Sequence, residues 1–374
     1  MTERKTIPVA HPVIGDAEKK NVLECMETGW ISSIGRFIPL FEEGFARYCG
    51  ASHAVACNNG TTALHLALSA LGSGPGDEVI VPTLTYVATA NAVHYCGARP
   101  VLVDSEPRTM AIDPQRIEER ITARTKGIVV VHLYGHPAAM DDISAIARKH
   151  GLFVLEDAAE AHGALYRGRR TGSLGDAATF SFYGNKIVTT GEGGMVTTSN
   201  RNLADKLRIL RGQGMDPGRR YWFPVVGYNY RMTNICAAIG VAQLQQIDLF
   251  LEQRCRIAHW YGSLLAALED FLVLPCEEAW ARHAFWSYVI VLRDSVRLDR
   301  DEFMQRLADD GIETRPVFYP MHVMPPYREP DARYPVADRL SSRGLSIPMH
   351  GLLGEDDVTY IAGRIAHWSK HPGP

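Results

Sequence analysis

No apolar run in this chain approaches the ~20 residues that a membrane-spanning helix needs. The opening stretch, MTERKTIPVAHPVIGDAEKK, carries no apolar core of the kind that directs secretion. Both absences predict a cytoplasmic protein without a membrane partner. Charge of one sign is also missing. The 39 Lys and Arg stand against 42 Asp and Glu, a formal net charge of −3. That excludes a basic face able to hold a nucleic-acid backbone. Cysteine is sparse, and the seven residues (Cys25, Cys49, Cys57, Cys96, Cys236, Cys255, Cys276) stand singly. An odd number without CxxC spacing argues against a disulfide framework and a zinc knuckle, so buried thiols and no metal are expected. There is no GxxxxGK[ST] and no HExxH. The glycine patterns Gly72-Ser-Gly-Pro-Gly76 and Gly212-Gln-Gly-Met-Asp-Pro-Gly218 do not follow strands with dinucleotide spacing and read as turns. No internal repeat or low-complexity tract is present.

Hydrophobic residues make up 46% of the 374 positions, enough for a large core and, by length, two domains. Glu78–Pro82, Arg99–Val103, Gly127–His132 and Gly151–Glu156 are short runs rich in β-branched side chains and read as buried strands. Helical patterns such as Thr61–Leu71 and Met140–His150 lie between them. This alternation predicts an α/β fold with a mostly parallel sheet covered by helices on both faces. From Ala177 to Asn200 the pattern turns to short strands and glycines. A proline-free helical pattern runs from Asn234 to Leu265 and is expected to lead from a large domain (1–250) into a small α+β domain (251–374). The small domain has an alternating strand at Phe285–Leu292, a helix at Arg300–Asp310 and a proline-rich stretch at Arg315–Pro330. The N-terminal segment is a candidate to complete it.

Four places carry chemistry. Asp157 ends a strand, and ligands in open α/β sheets bind just beyond the carboxyl ends of strands. An Asp there also caps helices, so position alone leaves both readings open. Lys186 follows the buried run Ala178–Phe182 and precedes the glycines of Thr189-Thr-Gly-Glu-Gly-Gly194, a setting that takes an amine out of water as a nucleophilic lysine requires. Ser181 places a hydroxyl near it. Gly60, Thr61 and Thr62 open the helical run ALHLALSAL, where free N–H groups and hydroxyls form an anion site, although capping explains the same residues. Tyr86, just past a strand end, is either core or a stacking surface for a planar ring. Taken together, a phosphate cradle, a strand-end carboxylate and a desolvated lysine are the parts that a pyridoxal phosphate enzyme needs.

The sequence resembles the DegT/DnrJ/EryC1/StrS family of sugar aminotransferases over nearly its whole length. The resemblance lies in Trp30-Ile-Ser-Ser-Ile-Gly-Arg-Phe37, Asn59-Gly-Thr-Thr-Ala-Leu-His65, Pro82-Thr-Leu-Thr-Tyr86, Glu156-Asp-Ala-Ala-Glu-Ala-His-Gly163, Ser181-Phe-Tyr-Gly-Asn-Lys186 and Gly227-Tyr-Asn-Tyr-Arg-Met-Thr233. It implies the fold type I architecture of aspartate aminotransferase and a pyridoxal 5'-phosphate cofactor that cycles through its pyridoxamine phosphate form. Lys186 would bind that cofactor covalently, Asp157 would pair with its ring nitrogen, and Tyr86 would lie against the ring. Gly60, Thr61, Thr62 and Ser181 would hold the phosphate, with Asn229 reaching in from a second subunit of a homodimer with shared active sites. Trp30, Ser32, Tyr319 and His322 would line the sugar site. In place of the glutamine common in the family stands Glu160, a carboxylate that could face the cofactor's phenolic oxygen only if one of the two holds a proton.

The implied reaction moves the amino group of L-glutamate onto the C4 ketone of a nucleotide-linked 4-keto-6-deoxy sugar. Arg211-Gly-Gln-Gly-Met-Asp-Pro217 and Arg315-Pro-Val-Phe-Tyr-Pro-Met-His322 point to a GDP-linked mannose derivative, with a surface polysaccharide as destination. The alternative is the same chemistry on a dTDP- or UDP-linked sugar. A dehydratase on this fold would carry His in place of Lys186. A sugar-sensing protein without catalysis is the reading from another class.

Overall fold

The computed structural model describes residues 6–329 and 333–371; Pro330, the end of the proline-rich stretch, lies outside them. Seven strands form the main sheet: β1 (His53–Cys57), β2 (Glu78–Pro82), β3 (Arg99–Val103), β4 (Thr125–Val131), β5 (Phe153–Asp157), β6 (Ala177–Ser181) and β7 (Gly194–Thr198). Their spatial order is β1-β7-β6-β5-β4-β2-β3, and β7 alone runs against the others. The expected α/β architecture with a mostly parallel sheet is therefore present. Alternation explains why both faces need cover. Val79, Val81, Val129 and Leu155 pack into the core beneath helix Gly60–Leu71. Ile80, Ile128, Val130 and Val154 point the other way, toward helix Met140–His150. With side chains alternating between faces, Asp157 shares the face of Leu155 while Glu156 lies on the opposite one.

The C-terminal part builds a second, antiparallel sheet in the order Leu272–Val273, Tyr288–Leu292, Gly344–Ile347, Arg315–Pro316. Tyr261, Phe303, Leu345 and Ile361 fill the core between this sheet and its helices. The N-terminal segment joins it: Ile7 donates to Gly311 O at 2.8 Å, and Met349 donates to Val9 O at 3.0 Å. A few residues on, helix Asp16–Thr28 packs on helix Asn234–Gln245 of the first layer, with Asn21 donating to Ala238 O at 3.0 Å.

Two elements depart from expectation. The pattern from Asn234 to Leu265 is two helices, Asn234–Gln245 and Ile247–Leu265, bent by 60°. The break falls at Gln246 (φ −108, ψ 2), an ordinary helix former, so nothing in the periodicity marks it. Its cause is tertiary. The amides of Gln243 and Gln246 converge on the buried Glu18 carboxylate at 2.8 and 3.1 Å. The strand expected from Phe285 begins only at Tyr288, because the carbonyls of Phe285 and Trp286 accept from the buried guanidinium of Arg254 at 3.1 and 3.0 Å. Among the described residues no single helix is long and apolar enough to cross a membrane.

Candidate active site

The carboxyl ends of β1, β2, β4, β5 and β6 open on the same edge of the sheet. The segments that follow them carry Gly60, Tyr86, Tyr134, Glu160 and Lys186. Gly60 sits where no side chain fits: a Cβ there would come within 2.7 Å of Ser181 Cβ. This close approach sets the first turn of helix Gly60–Leu71 against the end of β6.

That turn is capped from within. Asn59 Oδ1 accepts from the Thr62 N–H at 2.9 Å, and the Thr62 hydroxyl donates to Asn58 Oδ1 at 2.6 Å. Thr62 thus serves the cap, and Asn59 is the capping residue. The N–H groups of Gly60 and Thr61 and the Thr61 hydroxyl have no partner among the described residues. Ser181, against which Gly60 packs, has a hydroxyl that accepts from Tyr183 N–H at 3.3 Å. A helix N-terminus with open N–H groups and hydroxyls suits an anion.

Lys186 lies on the connection from β6 to β7, with 12% of its side chain exposed. Its Nζ is 3.4 Å from Glu160 Oε1 and 4.0 Å from the centre of the Trp286 ring. Glu160 Oε2 accepts from the Tyr134 N–H at 2.9 Å. Burial pushes the Glu160 carboxyl above the usual carboxylate range, with Asp157 adding to the effect while Lys186 and the Tyr134 N–H oppose it. Asp157, also buried, accepts from the Thr89 hydroxyl at 2.8 Å and from Ala159 N–H at 3.3 Å. Burial raises it as well, against those two hydrogen bonds and the charge of Lys186. No cation stands in ion-pair contact with Asp157 among the described residues, so this carboxylate suits a cationic N–H brought by a ligand.

An aromatic row walls the site. Trp286 stacks on Tyr134 (6.1 Å, 4°), Tyr134 on Phe318 (5.4 Å, 21°), and Tyr86 leans on Phe318 at 5.7 Å with much of its ring exposed. Thr89, Tyr134 and Trp286 escape the sequence reading. For Tyr134 the backbone gives the only local hint, a positive φ of 56° in a non-glycine residue.

The remaining candidates are not drawn into this cluster. The segment of Trp30 and Ser32 is anchored on Asn234, whose side chain donates to Trp30 O at 2.7 Å and whose N–H donates to Ser32 O at 2.6 Å. Tyr319 lies over Arg300 in a separate cleft of about 540 Å³, lined also by Asp338 and Ser341. His322 is buried between Thr83 Oγ1 (2.8 Å) and Asp338 Oδ1 (2.9 Å) and stacks on Tyr334, so its ring nitrogens are already occupied. Asn229 is exposed, between Tyr228 and Tyr230, whose rings stack at 4.8 Å beside His65. In the segment that leads to it, Tyr221 is 73% exposed and Val226 90%.

Comparison with known proteins bears on what this arrangement does. The family described as DegT/DnrJ/EryC1/StrS aminotransferase family matches residues 12–366. The GDP-perosamine synthase of Caulobacter vibrioides is 56% identical over 364 residues, covering 96% of this chain and 98% of the relative. That of Escherichia coli O157:H7 is 47% identical over 361 residues, with 96% and 98% covered. Among solved structures, DesI in the presence of its TDP-sugar product superposes with a TM-score of 0.92 at 31% identity, covering 98% of this chain and 94% of that one.

Proposed function

We propose a substrate and residue roles for a chain that belongs to the DegT/DnrJ/EryC1/StrS aminotransferase family, whose members depend on pyridoxal 5'-phosphate. The chain aminates the C4 ketone of GDP-4-keto-6-deoxymannose, with L-glutamate as donor, to give GDP-perosamine. The observation that carries this reading is the 56% identity to a GDP-perosamine synthase over nearly both full lengths, on a chain whose strand ends bring Lys186, Asp157 and an open anion cradle together.

The residues fit the cofactor. The open N–H groups of Gly60 and Thr61, the Thr61 hydroxyl and Ser181 would hold its phosphate, with Thr62 fixing the turn that presents them. Asp157, buried without a cation, would keep the ring nitrogen protonated. Tyr86 would cover the ring, and Glu160 would meet the group from the side of the lysine. Once bound, the cofactor supplies an electron sink and carries the amino group between the two half-reactions. The chain's own part is to orient and to move protons. The Lys186 amine binds the cofactor, and when free it carries a proton between the carbon that loses it and the carbon that gains it. Trp30, Ser32, Tyr319 and His322 are left as second-rank candidates for the sugar; His322 would act there by holding Thr83 and the chain around Tyr319. The large unit up to about residue 250 would carry the cofactor, and residues 251–374 the cover over it. The free cysteines suit a reducing cytoplasm.

A panel of GDP-, dTDP- and UDP-linked 4-keto-6-deoxy sugars tests the assignment. The GDP sugar should be turned over with kcat/KM at least tenfold above the others. The 31%-identical DesI, solved with a TDP-sugar product, makes the dTDP sugar the rival, and preference for it would overturn the GDP reading. Absence of turnover on all three, with no visible cofactor band, would favour a sensor without catalysis.

The exposed Asn229 and the exposed apolar residues of the segment that leads to it suit a second copy of the chain, giving a homodimer in which Asn229 reaches the phosphate held by its partner. In that arrangement Lys186 and Asn229 of one site come from different chains. Mixing Lys186→Ala with Asn229→Ala protein under subunit exchange should restore about a quarter of wild-type activity, since half the dimers are mixed and each has one intact site of two. Exchange without recovery, with Asn229→Ala itself impaired, would show that the two residues do not complement across an interface.

A further inference from the structure

We propose that Glu160 is a proton store for Lys186, taking the proton of its ammonium and returning it within the closed site. In the forward step the Nζ–H bond breaks with its electron pair left on nitrogen, and an O–H bond forms on Oε1. An ammonium–carboxylate pair becomes an amine–carboxylic acid pair, with no change in total charge.

Geometry singles out this pair. The two side chains are 12% and 5% exposed, and 3.4 Å separates Nζ from Oε1. Among the described residues Glu160 is the only hydrogen-bond acceptor of the Lys186 amine; the Trp286 face at 4.0 Å attracts the cation but takes no proton. Glu160 is held in this attitude by its other oxygen, which accepts from Tyr134 N–H. Tyr134 is fixed in turn at φ 56° by stacking between Trp286 and Phe318 and by accepting from Phe318 N–H at 3.1 Å through its phenol oxygen.

The groups facing Glu160 favour it as the acceptor. From its own segment come Asp157 and His162; from the others, Lys186, the Tyr134 phenol and the Trp286 indole. Asp157 has two donors, Thr89 and Ala159, to hold its charge, while Glu160 apart from Lys186 itself has one, the Tyr134 N–H, so the proton goes to Glu160. His162 is kept neutral by burial. The Tyr134 phenol is pushed up by burial and stays protonated. Burial already favours the uncharged form of Glu160. A glutamine at this position accepts hydrogen bonds but cannot take a proton.

The inference rests on Lys186 being the cofactor-binding lysine, and the test separates the two. Apoprotein is mixed with pyridoxal phosphate, and the growth of the visible band of covalent attachment is timed from about pH 6 to 8. In the wild type the amine is freed internally, so the rate should be nearly flat across that range, as for a coupled pair sharing one proton. In Glu160→Gln the proton must leave to water, so the rate should climb close to tenfold per pH unit. In Glu160→Ala, added formate should flatten the profile again. A Glu160→Gln profile as flat as the wild type's, or no effect of formate, would overturn the proton store while leaving Lys186 in place. No visible band in the wild type at any pH would remove the lysine assignment and the proposal with it.

Discussion

Lys186→Ala should fold, bind pyridoxal phosphate, and turn nothing over. The proton transfer proposed for this amine is worth about 10²–10⁴ in rate on its own, and covalent attachment is lost with it, so a fall of more than about 10⁴ is expected. Retained folding follows from where the lysine sits. Its backbone N–H donates to Tyr183 O at 2.9 Å whatever the side chain. Its loss leaves Glu160 buried without a cation, but that carboxyl is already raised by burial and can be neutral. Retained binding would follow from the proposed phosphate cradle, whose helix turn at Gly60 and Thr61 lies at another strand end. Equilibrium dialysis should find the cofactor bound without the visible band of covalent attachment, and circular dichroism should match the wild type. Turnover within tenfold of wild type would sink the assignment.

Asp157→Asn should lose at least about 2–3 kcal/mol of transition-state stabilisation, by analogy with other preorganised electrostatic partners, or at least roughly 30- to 160-fold in kcat. The substitution keeps the shape. Asn retains an oxygen for Ala159 N–H, and the Thr89 hydroxyl can turn to donate to Thr85, 3.2 Å away, while accepting from the new amide. What goes is the negative charge that would hold a ring nitrogen protonated in a dry site. The loss should fall on kcat more than on KM, because the charge matters most when electrons move into the ring. An unchanged rate would reduce Asp157 to a turn-forming residue.

The sheet is legible because β-branched runs recur between helical patterns, and Asp157 and Lys186 are legible because each ends or follows such a run. Helix Met140–His150 has the expected boundaries. What escapes is whatever depends on distant segments meeting. Trp286 lies 101 positions from Asn185, whose carbonyl it bonds, and no local pattern announces that it sits beneath the lysine. The break at Gln246 is invisible for the same reason, since the Glu18 that draws it lies at the other end of the chain. His322 is a further case: nothing in its motif announces that Thr83 and Asp338 claim both of its nitrogens.

The path of residues 6–28 ties these parts into one body. Ile7 and Val9 bond to the antiparallel sheet, and the helix from Asp16 to Thr28 lies on Asn234–Gln245 beside the parallel one. A strap of this kind makes the two layers a single cooperative unit: neither can melt away and leave the other's contacts with the N-terminal segment intact. Slow amide exchange should therefore be shared between the strands of both sheets, and any relative motion of the two layers should be a small displacement of packed elements rather than a coming loose.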